Sequence, residues 1–180
     1  MPLPARHDRH AFPSLPRRPI HVVLDGVTHL PNIGTMFRLC DAFRVERLSI
    51  CGFDLEPHKR RLVRAASGTI GWVPWDSGAR APDMVRDLAA RGYVIAAVEI
   101  AESSVPPSEL RVDAPLCLVL GAERNGISSE VLALADQRIE IPTDGLGGSI
   151  NLTAAAAIVL YEASRRMPLP VSVSPESGST

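Results

Sequence analysis

Aromatic side chains are scarce in this sequence, at 4% of 180 residues, so aliphatic residues and alanine must fill the core. Hydrophobic residues at 46% supply enough of them for one compact domain. Long apolar runs are missing, since none approaches the roughly 20 residues that cross a bilayer. The first ten residues, MPLPARHDRH, lack the apolar core of a secretory signal. Three cysteines, Cys40, Cys51 and Cys117, are odd in number and show no metal-ligand spacing. Neither a disulfide framework nor a thiolate metal site is expected from them. Free thiols suit a reducing compartment, so the expectation is a cytoplasmic protein with no membrane segment. The net charge of −1 gives no overall basic field for nucleic acid.

Where the charges fall says more than their sum. Before residue 20, Arg6, Arg9, Arg17 and Arg18 face only Asp8. A second cluster holds His58, Lys59, Arg60, Arg61 and Arg64, and Lys59 is the only lysine of the chain. Arginine's planar fork suits bidentate phosphate contacts, although solvated surface charge explains such clusters equally well. Residues 1–19 carry five prolines and read as an extended basic arm. Residues 167–180, rich in proline and serine, read as a disordered tail.

Residues 20–166 alternate between two periods. Apolar runs at His21–Gly26, Leu48–Gly52, Tyr93–Val98, Leu116–Gly121 and Arg138–Pro142 read as strands. Helical spacing appears at Ile33, Met36, Phe37 and Cys40. It recurs at Met84, Val85, Leu88 and Ala89, and from Leu152 to Ala163. Pro82 stands in the first turn of the middle helix, and Gly92 is placed to end it. Ser128 offers a cap for a further helix through Ala135. This alternation predicts an α/β fold: a mostly parallel, Rossmann-like sheet with helices on both faces.

Three loops follow strands, where open α/β sheets bind ligands. The first runs from Asn32 to Arg38; Asn32 reads equally as a helix cap, and Arg38 lies off the apolar stripe. The second, Gly121-Ala-Glu-Arg-Asn-Gly126, has two glycines that allow close backbone approach, with Glu123 between them. The third, Ile141 to Leu152, is a glycine-rich turn into a helix, with Ser149 and Asn151 at its start. Its glycine spacing does not fit G-x-G-x-x-G, and the sequence has no Walker A lysine, which disfavours nicotinamide and NTP sites.

Together the three blocks carry a resemblance. N-x-G-x-x-x-R (Asn32, Gly34, Arg38), L-G-x-E-x-x-G-I-S (Leu120 to Ser128) and I-P-x-x-G-x-x-x-S-I-N-L-T (Ile141 to Thr153) look like the motifs of the SpoU branch of the SPOUT RNA 2′-O-ribose methyltransferases. Order and separation match as well, over roughly Ile20 to Arg166. Val63 to Gly68, Trp72-Val73 and Glu130 to Asp136 resemble the TrmH type, which methylates a D-loop guanosine of tRNA; an rRNA target, the tRNA wobble ribose and a catalytically silent knotted RNA binder stay open as alternatives. Where the family's first motif continues into a glycine, this chain has Arg44.

The resemblance implies a deep trefoil knot in the C-terminal part of the sheet, a homodimer, and S-adenosylmethionine as cofactor. It places the cofactor on backbone around Val98, Leu120, Gly121, Gly126, Ile141, Leu146 and Ile150. It assigns catalysis to Arg38, Asn32, Glu123, Ser149 and Asn151, with Arg60, Arg61 and Arg64 as RNA contacts. A guanidinium with a pKa above about 12 is a poor general base near pH 7. Arg38 is therefore expected to hold phosphate and stabilise a developing alkoxide.

Overall fold

The computed structural model describes residues 15–101, 103–146 and 150–170. Six parallel strands form one sheet in the order β3-β2-β1-β5-β4-β6. They are β1 (Arg18–Asp25), β2 (Val45–Cys51), β3 (Trp75–Ser77), β4 (Val94–Val98), β5 (Leu116–Gly121) and β6 (Gln137–Ile139). The helices are α1 (Leu30–Ala42), α2 (Arg60–Ala66), α3 (Ala81–Ala90), α4 (Ser129–Leu132) and α5 (Leu152–Arg166). One core gathers Phe37, Leu62, Val159 and Leu160 from α1, α2 and α5 against one sheet face. The other packs Val85, Leu88 and Val131 of α3 and α4 against Val23, Ile95 and Val119. The α/β architecture with two covered faces is as expected. Its central strands β1 and β5 are almost wholly buried, as their unbroken apolar runs require.

Ile33, Met36, Phe37 and Cys40 are all buried on α1. On α3, Val85 and Leu88 are buried but Ala89 is exposed, so the apolar stripe is narrower than the sequence suggested. The helix after Ser128 stops at Leu132 rather than Ala135, and Asp136 instead bonds to Ile95 across the sheet. The last strand covers Gln137–Ile139 and leaves the sheet before Pro142.

The second basic cluster, which shows no helical period in the sequence, leads into and forms part of α2. Leu62 and Ala66, one turn apart, are its buried residues, too short a pattern to reveal a helix. A Cβ on Gly34 would lie 2.5 Å from Ala65 Cβ and 2.9 Å from Leu62 O, so only glycine lets α1 and α2 approach so closely. Strand β3 has three half-buried residues at the sheet edge and no apolar run to announce it.

β1 begins two residues inside the segment expected to be an arm. Arg17 donates to Val45 O at 3.1 Å and to Trp72 O. Arg18 donates to Met167 O at 2.8 Å and Phe43 O at 2.7 Å. Both guanidiniums thus satisfy backbone carbonyls of the domain and are not free phosphate contacts. Arg6 and Arg9 lie outside the described residues, as does the tail from residue 171. Arg44 sits at φ 53° in the left-handed region. Its guanidinium binds the Leu15 and Pro16 carbonyls, which helps offset that strain.

Candidate active site

Parallel strands aim their carboxyl ends at one edge, and a cavity of about 370 Å³ opens there between β4, β5 and β6. Val98 ends β4, Leu120 and Gly121 end β5, and Gly126 returns beside them; all four line the cavity. Ile141 and Ile150 line it from the loop before α5. Six of the seven residues assigned to cofactor by resemblance therefore surround one space. The seventh, Leu146, is fully exposed and off the cavity wall.

Gly121 has a physical requirement behind it. A Cβ there would overlap the Gly126 carbonyl and the Ile127 nitrogen, because the loop doubles back onto the strand end. Gly126 N donates to Ala122 O at 2.8 Å and closes the turn. Gly121 and Gly126 thereby line the cavity with no side chain of their own.

At the rim, three distant segments meet. Asn32 Nδ2 donates to Glu123 Oε1 at 2.6 Å, and Asn151 Nδ2 donates to the same oxygen at 3.3 Å. Asn32 is the third residue of α1, not its cap; His29 precedes the helix. Asn151 does cap: its Oδ1 accepts from Thr153 N at 2.9 Å and Thr153 Oγ1 at 2.7 Å, leaving its amide nitrogen for Glu123. The two asparagines thus hold one carboxylate oxygen from two helices. Ser149 lies outside the described residues.

Arg38 does not join this cluster. Six residues beyond Asn32, it points about 120° around α1 and about 9 Å further along. It is exposed and forms no hydrogen bond or ion pair with any described residue. Arg60, Arg61 and Arg64 are exposed on α2, where with His58 and Val63 they border a shallow surface hollow.

Sequence reasoning missed Asp25 and Glu99. Asp25 Oδ2 accepts from Ser128 N at 2.8 Å, and Glu99 Oε2 accepts from Ile127 N at 3.0 Å. Both stand at strand ends, the one available signal, but a lone carboxylate after an apolar run carries no motif. Glu99, Glu123 and Glu140 line the cavity, and among the described residues no basic side chain does. Burial pushes the thiol pKa of Cys51 up to about 12, and raises Cys40 and Cys117 as well, which leaves these thiols inert as nucleophiles.

Known proteins are similar to this chain in sequence and fold. Residues 19–161 match the SpoU rRNA methylase family. The tRNA (guanosine(18)-2′-O)-methyltransferase of Escherichia coli K12 is 32% identical over 164 residues, covering 91% of this chain and 71% of that protein. The crystal structure of the Aquifex aeolicus TrmH/SpoU tRNA modifying enzyme superposes with a TM-score of 0.78 at 29% identity, over 88% of this chain and 80% of that one. The AdoMet-bound rRNA methyltransferase of Sinorhizobium meliloti gives 0.77 at 30% identity, over 84% and 58%. With motifs that converge in space and a match spanning nearly the whole described domain, the chain belongs to the SpoU rRNA methylase family.

Proposed function

We propose that this protein transfers a methyl group from S-adenosylmethionine to a ribose 2′-hydroxyl of RNA, with a D-loop guanosine of tRNA as the target. The observation that carries this reading is the meeting of Asn32, Glu123 and Asn151 at the rim of a cavity lined by residues at the strand ends.

The cavity fits the cofactor on its own terms. About 370 Å³ lies in the usual range for small-molecule sites. Its apolar walls suit an adenine ring, and carboxylates without a cationic side chain suit a ligand bearing a sulfonium and an ammonium. Backbone around Val98, Leu120, Gly121, Gly126, Ile141 and Ile150 would hold it. When bound, it supplies the electrophilic methyl group.

The protein's own residues then handle the RNA. A 2′-hydroxyl is a weak nucleophile until its proton leaves to solvent, and the alkoxide that develops needs a positive neighbour. Arg38 offsets that charge while holding the adjacent phosphate. Its place off the cavity wall suits contact with RNA rather than with the cofactor. Glu123, fixed by two asparagines, and Ser149 would orient the ribose. Arg60, Arg61 and Arg64 offer exposed guanidiniums to further phosphates.

We extend the reading to the family's architecture: a trefoil knot in the C-terminal part of the sheet, and a homodimer acting in the cytoplasm. Exposed Ile158 and Tyr161 on α5 supply apolar surface for a second copy. Three unpaired, buried cysteines fit a reducing compartment. Among the described residues no helix is long and apolar enough to cross a membrane.

Nucleoside mass spectrometry after incubation of unmodified tRNA and rRNA with labelled S-adenosylmethionine tests the proposal. Labelled 2′-O-methylguanosine in the tRNA D-loop supports it. Label in rRNA or at a wobble ribose keeps the chemistry and overturns the target, and absence of label from either RNA overturns both.

A further inference from the structure

We infer that Asp25 is a positioning residue for the cofactor loop, acting with Glu99 from the opposite side; this rests on the cofactor reading above. β5 lies between β1 and β4, with Asp25 paired opposite Gly121 and Val98 opposite Leu120. Asp25 and Glu99 therefore flank the point where the loop leaves the sheet. The loop turns back through Ala122 and Gly126, and its next two amides descend onto the two carboxylates.

Ile127 N and Ser128 N, consecutive in the chain, donate to carboxylates that come from opposite sides of β5. Holding both Ile127 N and Ser128 N thus takes acceptors on both flanks, which β1 and β4 provide. Each bond is to a carboxylate and so charge-assisted, at 2.8 Å for Ser128 and 3.0 Å for Ile127. Gly126 belongs to the same device: a Cβ there would lie 2.6 Å from Glu99 Oε2 and displace it from Ile127.

The loop held in this way presents Gly121, Glu123 and Gly126 to the cavity. Asp25 is not part of the cavity wall and touches the loop through Ser128 N, so any effect of Asp25 on the cofactor travels through loop geometry. Asn at position 25 keeps the shape and removes the charge.

The test uses the full chain as wild type, Asp25→Asn, Glu99→Gln and the double variant. Calorimetric titration with S-adenosylmethionine is paired with steady-state kinetics on tRNA and with amide NMR shifts of the ligand-free protein. Asp25→Asn is expected to raise cofactor Kd and KM about tenfold, the loss of one charge-assisted bond, while kcat at saturating cofactor stays within about twofold. The Ser128 amide should shift in Asp25→Asn, the Ile127 amide in Glu99→Gln, and the double variant should bind cofactor more weakly than either. Wild-type affinity in Asp25→Asn despite a shifted Ser128 amide overturns the inference. So does a parallel fall of affinity, kcat and melting temperature, the mark of general unfolding. The expected amide shifts in the variants, together with no binding of S-adenosylmethionine by the wild type, overturn the cofactor reading itself, and the amide shifts separate the two failures.

Discussion

Asn32 and Glu123, 91 residues apart in the chain, are joined by a 2.6 Å hydrogen bond from Asn32 Nδ2 to Glu123 Oε1. Asn32 is buried, so its amide is held by α1 while Glu123 reaches it from an exposed loop apex. Asn32→Ala should cost about 1 kcal/mol of stability, the net value of such a bond. Misplacing Glu123 by about 1 Å should lower methyl transfer about 100-fold. Urea unfolding and single-turnover transfer measure the two, and full activity in Asn32→Ala would remove Glu123 from ribose positioning.

Arg38 has no partner among the described residues, so its loss leaves nothing in the protein unpaired. Arg38→Ala is expected to shift stability by less than about 0.5 kcal/mol. It should abolish methyl transfer and leave cofactor affinity unchanged. An equal fall in cofactor affinity would place Arg38 at the cofactor and contradict its assignment to RNA.

Replacing Arg60, Arg61 and Arg64 together by alanine should weaken RNA binding without touching the cofactor. If each meets one phosphate, the slope of log affinity against log salt falls by about 2 to 3, at about 0.7–0.9 per contact. Filter binding across salt concentrations reads this directly. An unchanged slope would make α2 an ordinary solvated face.

His21 is buried, and its ring nitrogen lies 2.8 Å from Ser49 Oγ. Burial lowers its pKa from 6.5 to about 4, with Arg47 and Arg91 adding to the shift and Asp76 and Glu46 opposing it. Between these values the unfolded chain binds the proton and the folded chain does not. Stability is therefore lost as pH falls from 6.5 towards 4, by on the order of 3 kcal/mol in all. Denaturation midpoints measured from pH 7 to 4 should show that decline, and His21→Gln should flatten it. Parallel curves for the two proteins would locate the acid sensitivity elsewhere.

Gly34→Ala tests the contact between α1 and α2. In an open helix the change gains up to about 1 kcal/mol. Here the added methyl meets Ala65 and the α2 backbone, and overpacking should cost about 1–3 kcal/mol instead. A stabilised variant would show that α2 yields freely.

The sequence makes the buried elements legible and hides the short and polar ones. The apolar runs of β1, β4 and β5 and the stripe of Ile33, Met36, Phe37 and Cys40 announce themselves because burial dictates residue type. α2 and β3 bury too few side chains to leave a period. Motif spacing brought six cofactor-assigned residues to one cavity because glycine and strand-end positions are fixed by backbone geometry. It could not show that Asn32 faces Glu123 while Arg38 faces away, since that follows from how α1 lies on the sheet. Nor could it show the roles of Asp25 and Glu99, which depend on β5 lying between β1 and β4.

One guanidinium ties together chain segments that are far apart in sequence. Arg18, at the start of β1, holds the carbonyl of Met167, just past the end of α5. The first strand and the last helix therefore leave the domain at the same corner. A force applied across them loads this clasp before any core element, and fraying of α5 should loosen the start of β1 in step. Domains fused before Arg18 and after Met167 would emerge side by side, close enough for a short bridge to join them.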